Sequence, residues 1–195
     1  MSSNKERHAK LVGERVMLCP IRIEDVHLFH KWINDIELTK YLMILPAVLT
    51  IEDEKEWFES SRKSQDSFTL SIVLKDNQRT IGNLGLKQIN KNDGSGDFGI
   101  MIGEKEYWNK GYGTEATKLI LDFAFNVLRL HSIHLKVYNY NKRALRSYEK
   151  IGFKKCGYLR ESKFYGGKYH DIILMDILET EFNESYIKNL VNSEE

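Results

Sequence analysis

The sequence predicts an α+β fold, with one mixed, mostly antiparallel sheet of six or seven strands flanked by helices. Three observations point there. Between Phe68 and Ile102 apolar residues recur with strand-like alternation in runs broken by short polar turns, which is hairpin patterning. Between Gly111 and Gly152 a long helical period, a strand period and a second helical period follow one another. The 195 residues include only two prolines, a length that one hydrophobic core can serve. The whole chain, 1–195, therefore reads as one domain, with a core over about 15–178 and a polar helical tail.

The elements follow in order. Residues from Arg15 to Pro20 read as a first strand. Ile23, Val26, Phe29, Trp32 and Ile33 recur at helical spacing up to Asn34 and Asp35. Thr50, with Asp53 three residues on, is an N-cap signal for a second helix through Trp57 and Phe58. Phe68, Leu70, Ile72 and Leu74 alternate as a strand, the polar run 76–79 turns, and Thr80 to Ile89 returns as its partner. A second turn at Asn92 to Gly96 leads into a strand from Asp97 to Ile102. The longest helix begins after Gly111, with Ala116, Leu119, Ile120, Phe123, Val127 and Leu130 on one apolar face. Ile133, Leu135 and Val137 alternate next. Asn141 caps a helix carrying Ala144, Leu145 and Tyr148, and Gly152 stops it. Phe153 to Tyr158 and Tyr169 to Leu178 are the last strands.

Composition excludes several classes. A formal net charge of +1 leaves no basic surplus for a dedicated nucleic-acid binder. Cys19 and Cys156 form neither a CxxC pair nor a disulfide framework, and both read as small core or near-core residues of a reducing compartment. His27, His30, His131 and His134 lack a third ligand at metal-binding spacing. The first dozen residues are polar, with no signal-peptide core. The longest apolar run, Leu42 to Leu49, is interrupted by Pro46 and falls far short of the roughly 20 residues that cross a bilayer. A cytoplasmic protein with no membrane partner is expected.

The chemistry concentrates in the run from Asp97 to Ala116, where a strand, a glycine-containing loop and a long helix succeed one another. Free backbone N–H groups and the positive end of the helix dipole make such a junction an anion site. Gly111 and Gly113 allow close backbone approach, Lys110 adds charge, and Thr114 is placed to cap the helix or bond a phosphate. The kinase-type phosphate loop and the GxGxxG dinucleotide pattern are both absent.

With its surroundings the run resembles motif A of the GNAT acetyltransferases, whose pyrophosphate loop reads Gln/Arg-x-x-Gly-x-Gly/Ala. Here the loop is Trp108-Asn109-Lys110-Gly111-Tyr112-Gly113, with Trp108 in place of the Gln or Arg. Asn141 to Phe153 resembles motif B, N-x-x-A/S-x-x-x-Y-x-K-x-G-F. Lys31 to Glu37 resembles the substrate-side helix of the ribosomal-protein N-terminal, polyamine and aminoglycoside branches, and Tyr165 to Asp171 their closing hairpin. The resemblance spans Arg15 to Leu178.

The resemblance implies a sheet splayed where acetyl-CoA enters and direct acetyl transfer to an amine in a ternary complex, with no metal. By it, Ile100, Met101, Ile102, Trp108, Asn109, Lys110, Gly111, Tyr112, Gly113, Thr114, Asn141 and Lys150 hold the cofactor. Tyr148 is the general acid. Asp97 matches a catalytic glutamate and, one methylene shorter, reaches an amine through water. Trp32, Asp35, Glu37 and Tyr165 line the acceptor site. The expected acceptor is a protein N-terminal amine, with a polyamine such as spermidine or an aminoglycoside as alternatives. A non-catalytic acyl-CoA sensor is the alternative of another kind. Family habit also implies a homodimer.

Overall fold

A computed structural model describes residues 6–44, 48–183 and 186–187. Eight strands form one sheet in the order β1-β2-β3-β4-β5-β6-β8-β7. They are β1 (Leu11–Val12), β2 (Val16–Pro20), β3 (Phe68–Leu74), β4 (Thr80–Asn90), β5 (Ser95–Ile102), β6 (Ser132–Tyr138), β7 (Lys154–Tyr165) and β8 (Lys168–Leu178). Every neighbouring pair is antiparallel except β5 and β6. The helices are α1 (Val26–Ile33), α2 (Ile36–Thr39), α3 (Ile51–Lys63), α4 (Tyr112–Asn126) and α5 (Lys142–Ile151).

Local chemistry sets the boundaries. Thr50 and Asp53 form the expected reciprocal cap of α3, with the Thr50 amide donating to Asp53 Oδ2 at 2.7 Å. Asn141 Oδ1 accepts from the Ala144 amide at 3.2 Å to start α5, and Gly152 at φ +119° ends it. Gly166 and Gly167, both left-handed, turn β7 into β8, as a two-residue hairpin of right-twisting strands requires.

Helices α4 and α5 cover one face of the sheet, where Ala116, Ile120, Ala124 and Leu145 meet Leu84, Leu86, Phe98, Ile133 and Leu135 in the main core. Helices α1 and α2 lie on the other face, where Phe29, Trp32 and Leu38 pack with Met101.

Several expectations need correction. The sheet has eight strands because Leu11–Val12 pairs with Met17 and Leu18, a piece too short for alternation to reveal. β7 runs on to Tyr165, and irregular pairing after Lys155 and after Leu159 interrupts its alternation. α4 stops at Asn126; Val127 and Leu130 keep helical spacing, but the chain turns through Arg129 at φ 58°. α2 has no sequence signal of its own beyond the Asp35 cap, whose side chain accepts from the Glu37 amide. Cys19 is buried, but Cys156 is exposed on the outer strand. Leu45, Pro46 and Ala47 of the apolar run, and most of the expected helical tail, lie outside the described residues.

Candidate active site

β5 and β6 pair only at their beginnings, Ser95 with Ser132, Gly96 with Ile133 and Asp97 with His134. Beyond Asp97 they part. β4 still holds β5 as far as Ile102, and β8 holds β6 as far as Tyr138. The facing edges, residues 98–102 and 135–138, have no strand partner on that side, so their backbone groups line an open slot. One of them is engaged: the indole N–H of Trp108 donates to the Ile102 carbonyl at 2.7 Å.

Alternation along β5 assigns the two walls of this slot. Ile100 and Ile102 join Phe98 on the α4–α5 side, whereas Met101 packs among the α1 and α2 residues Phe29, Trp32 and Leu38. Asp97 and Gly99 share the Met101 face. Gly99 is exposed, and a Cβ built on it would meet nothing within 4 Å. This face is therefore open at Gly99, beside the slot.

The glycine loop abuts the slot. Gly111 caps α4 at φ +84° and Asn109 is left-handed at φ 59°, a conformation Gly and Asn tolerate. No side chain caps α4. The N–H groups of Tyr112, Gly113 and Thr114 therefore have no acceptor among the described residues. A Cβ on Gly113 would lie 3.5 Å from Ile102 and 3.7 Å from Ile100, so the glycine turn and the slot meet at this residue. Thr114 is not the cap; its hydroxyl pairs with Ser147 on α5 at 2.8 Å. Arg15 braces the loop, donating to the Lys110 carbonyl at 3.0 Å and to Glu115 at 2.9 Å and lying 4.6 Å from the Tyr112 ring centroid. The Lys110 ammonium rests 6.0 Å from the Tyr107 ring centroid.

Tyr148 enters from the α5 side, its ring 6.3 Å from Phe98 and 5.7 Å from Phe153. Its hydroxyl makes no hydrogen bond among the described residues. Burial pushes its pKa up to about 12, against a smaller opposing pull from the Arg143 cation. Asp97 stands on the opposite face of β5, half exposed, with His134 Nδ1 3.8 Å from its carboxylate. An acid and a carboxylate thus flank the slot from two sides. Asn141 is buried as the α5 cap. Lys150 is exposed on the last turn of α5 and makes no hydrogen bond or ion pair among the described residues.

The residues expected to line an acceptor site divide. Trp32 is 1% exposed and its indole N–H donates to Glu104 at 2.9 Å. A Cβ on Gly103 would fall 2.0 Å from the Trp32 ring, so this ring is packed against backbone and is not a ligand surface. Burial opposes ionisation of Glu104, but the bonds from Trp32 and Lys31 and the Lys31 and Arg79 charges outweigh it and hold its pKa low. Asp35 and Glu37 converge on one cation: Lys105 Nζ lies 2.7 Å from Asp35 and 2.5 Å from Glu37. The Lys105 hydrogen bond lowers the Asp35 pKa, and the two carboxylates raise that of Lys105.

Tyr165 belongs to an aromatic group that sequence reasoning missed. Its ring stacks 6.1 Å from Tyr140, which also stacks on Tyr138 at 5.3 Å and donates through its hydroxyl to the Lys40 carbonyl at 2.6 Å. Burial pushes the Tyr140 pKa to about 12. Tyr138 and Tyr140 stand just before the Asn141 cap, a signal that was available. Arg143, also missed, lies over Trp108.

Residues 15–154 match the family model described as the acetyltransferase (GNAT) domain. The chain belongs to the GNAT acetyltransferases. It is similar to the uncharacterized N-acetyltransferase p20 of Bacillus licheniformis, 27% identical over 174 residues, 88% of this chain and 97% of that one. The spermidine N(1)-acetyltransferase of Escherichia coli (strain K12) is 29% identical over 86% of this chain and 88% of its own length. Among solved structures, the spermidine N-acetyltransferase of Vibrio cholerae in complex with CoA and spermine superposes with a TM-score of 0.79 at 26% identity, covering 86% of this chain and 97% of that one. This GNAT protein is an N-acetyltransferase enzyme. Among its described residues no three His, Cys, Asp or Glu side chains are grouped to hold a metal ion, and no helix is long and apolar enough to cross a membrane.

Proposed function

We propose that this N-acetyltransferase moves the acetyl group of acetyl-CoA directly onto a primary amine of a polyamine. The observation that carries the reading is the slot. Its unpaired edges meet the free N–H groups at the start of α4, with Tyr148 on one wall and Asp97 on the other. The N–H groups of residues 112–114 suit the diphosphate, and backbone along residues 98–102 suits the pantetheine arm and the thioester carbonyl. The acceptor enters from the open side at Gly99.

An amine with a pKa near ~10 is mostly protonated at neutral pH. Its proton passes through water to Asp97, leaving a neutral nitrogen to attack the thioester carbon. The C–N bond forms, and the C–S bond breaks with its electron pair on sulfur. Tyr148 gives its hydroxyl proton to that thiolate, and the second proton leaving the acylated nitrogen restores the phenol through water. A phenol held protonated to about 12 is in the right state to donate.

Two things favour a polyamine over the protein N-terminal amine expected from the sequence. The substrate-named relatives above are spermidine enzymes, and Asp35, Glu37 and Asp97 put carboxylates on the acceptor side. Initial rates of thiol release over spermidine, spermine, an aminoglycoside and short peptides test the assignment. Turnover is expected with the polyamines, and a preference for peptides refutes it.

Lys105 competes with a cationic acceptor for Asp35 and Glu37. Lys105→Gln is expected to lower the KM for spermidine about two- to fivefold, the scale of an exposed ion pair, with kcat unchanged. An unaltered KM would take Asp35 and Glu37 out of the acceptor site.

A further inference from the structure

The loop before α4 lacks the Gln or Arg of its motif, because position 108 is a tryptophan. The structure brings a cation there from elsewhere. The Arg143 guanidinium lies 3.8 Å from the Trp108 ring centroid and 5.5 Å from that of Tyr41. It is half-buried, yet among the described residues it meets no carboxylate and makes no hydrogen bond. The more buried Arg7 sits on Asp25, and Arg15 and Arg79 sit on Glu115 and Glu104. A guanidinium withdrawn from water without a counter-charge is costly, and a ligand anion removes that cost.

The direction in which Arg143 faces identifies the anion. Arg143 and Ser147 are four residues apart on α5 and share a face. The Ser147 hydroxyl pairs with Thr114 in the first turn of α4 at 2.8 Å. That face of α5 therefore looks onto the free N–H groups of Tyr112, Gly113 and Thr114. A guanidinium lying over an indole keeps its N–H donors free around its rim, in a planar array that suits phosphate oxygens. Of the cations beside the loop, Arg15 is held by Glu115, whereas Lys110, 6.0 Å from the Tyr107 ring centroid, adds its charge without an ion pair among the described residues.

We infer that Arg143, seated on Trp108, supplies the cationic side-chain contact to the diphosphate of acetyl-CoA that the loop lacks at position 108. Trp108 is then the platform, and the pair replaces one charged residue with two that stack. The inference rests on acetyl-CoA as the donor.

Calorimetric titration of the full chain with CoA tests it, alongside transfer rates with acetyl-CoA and with acetyl-pantetheine, a donor without phosphates. Arg143→Gln is expected to weaken CoA binding about tenfold, the equivalent of 1.4 kcal/mol. It should also flatten the salt dependence of Kd and cost kcat/KM far less with acetyl-pantetheine than with acetyl-CoA. Arg143→Lys should recover part of the affinity, and Trp108→Leu should lose most of what Arg143→Gln loses. Native-like unfolding midpoints would confirm that the variants fold. Wild-type affinity for CoA in Arg143→Gln overturns the inference, as does an equal loss with acetyl-pantetheine. Failure of the unaltered protein to bind CoA overturns the donor assignment along with it.

Discussion

Tyr148→Phe is expected to lower kcat at least about a hundredfold, the lower end of what a positioned proton donor contributes, while CoA affinity stays within a factor of about two. The substitution removes one oxygen and leaves the ring on Phe98 and Phe153, so packing is preserved and the loss reports chemistry. The pH dependence follows from the same burial. A free tyrosine begins to lose its proton near pH ~10, whereas Tyr148 holds it to about 12. The wild-type kcat/KM profile should therefore show no basic limb from this group until well above pH ~10. The sign for stability is the same: the site favours the neutral phenol, so its contribution is intact below about pH 10 and is lost as pH rises from there to about 12. Tyr148→Phe should lose less stability across that window, which urea midpoints on either side of it would reveal. A variant that turns over like the wild type would remove Tyr148 from the reaction.

Asp25→Ala is expected to destabilise the fold by about 3–5 kcal/mol, the cost of breaking a buried pair from one side. Asp25 is 3% exposed and accepts from Arg7 Nη1 at 2.8 Å, Ser71 at 3.0 Å, Thr80 at 3.1 Å and the Arg22 amide at 3.2 Å. It thereby fastens the N-terminal arm, β3 and β4 to the turn that begins α1. Its loss strands the Arg7 guanidinium without a counter-charge. For a chain of this size the melting temperature should fall by roughly 2–4 °C per kcal/mol. Adding Arg7→Met should restore part of the loss, because the stranded charge goes with it. A drop below about 1 kcal/mol would mean that water reaches the cluster and replaces the carboxylate.

Asp25 also illustrates what the sequence hides. In Ile23-Glu24-Asp25 it reads as one more acid at a helix start, and its partners Ser71 and Thr80 lie 46 and 55 residues away. Only the sheet brings them together. The parts of the fold that were legible rest on local signals: the Thr50–Asp53 box, the Asn141 cap, the Gly152 stop and the alternation of β3 to β6. The parts that were not lack such signals. α2 is four residues long, β1 is two, and β7 carries pairing irregularities that break its period. The same division holds at the site. Gly111, Gly113, Asn141 and Tyr148 stand within continuous motifs, so the sequence assigned them to α4 and α5, and the structure sets Gly113 and Tyr148 against β5. Trp32 has the spacing of a core residue and is one, held between Gly103 and Glu104. Arg143 and Lys105 gain meaning only from what faces them, Trp108 in one case and the Asp35–Glu37 pair in the other.

Acetyl transfer at the slot between β5 and β6, as opposed to the mere holding of an acyl-CoA, has a stoichiometric signature. The most direct test measures free thiol and acetylated amine together, with acetyl-CoA in the presence and absence of spermidine. Thiol release is expected to depend on the amine and to match acetylspermidine mole for mole. Tight acetyl-CoA binding without thiol release on any amine of the panel would contradict it and make this chain an acyl-CoA-binding module on an acetyltransferase fold.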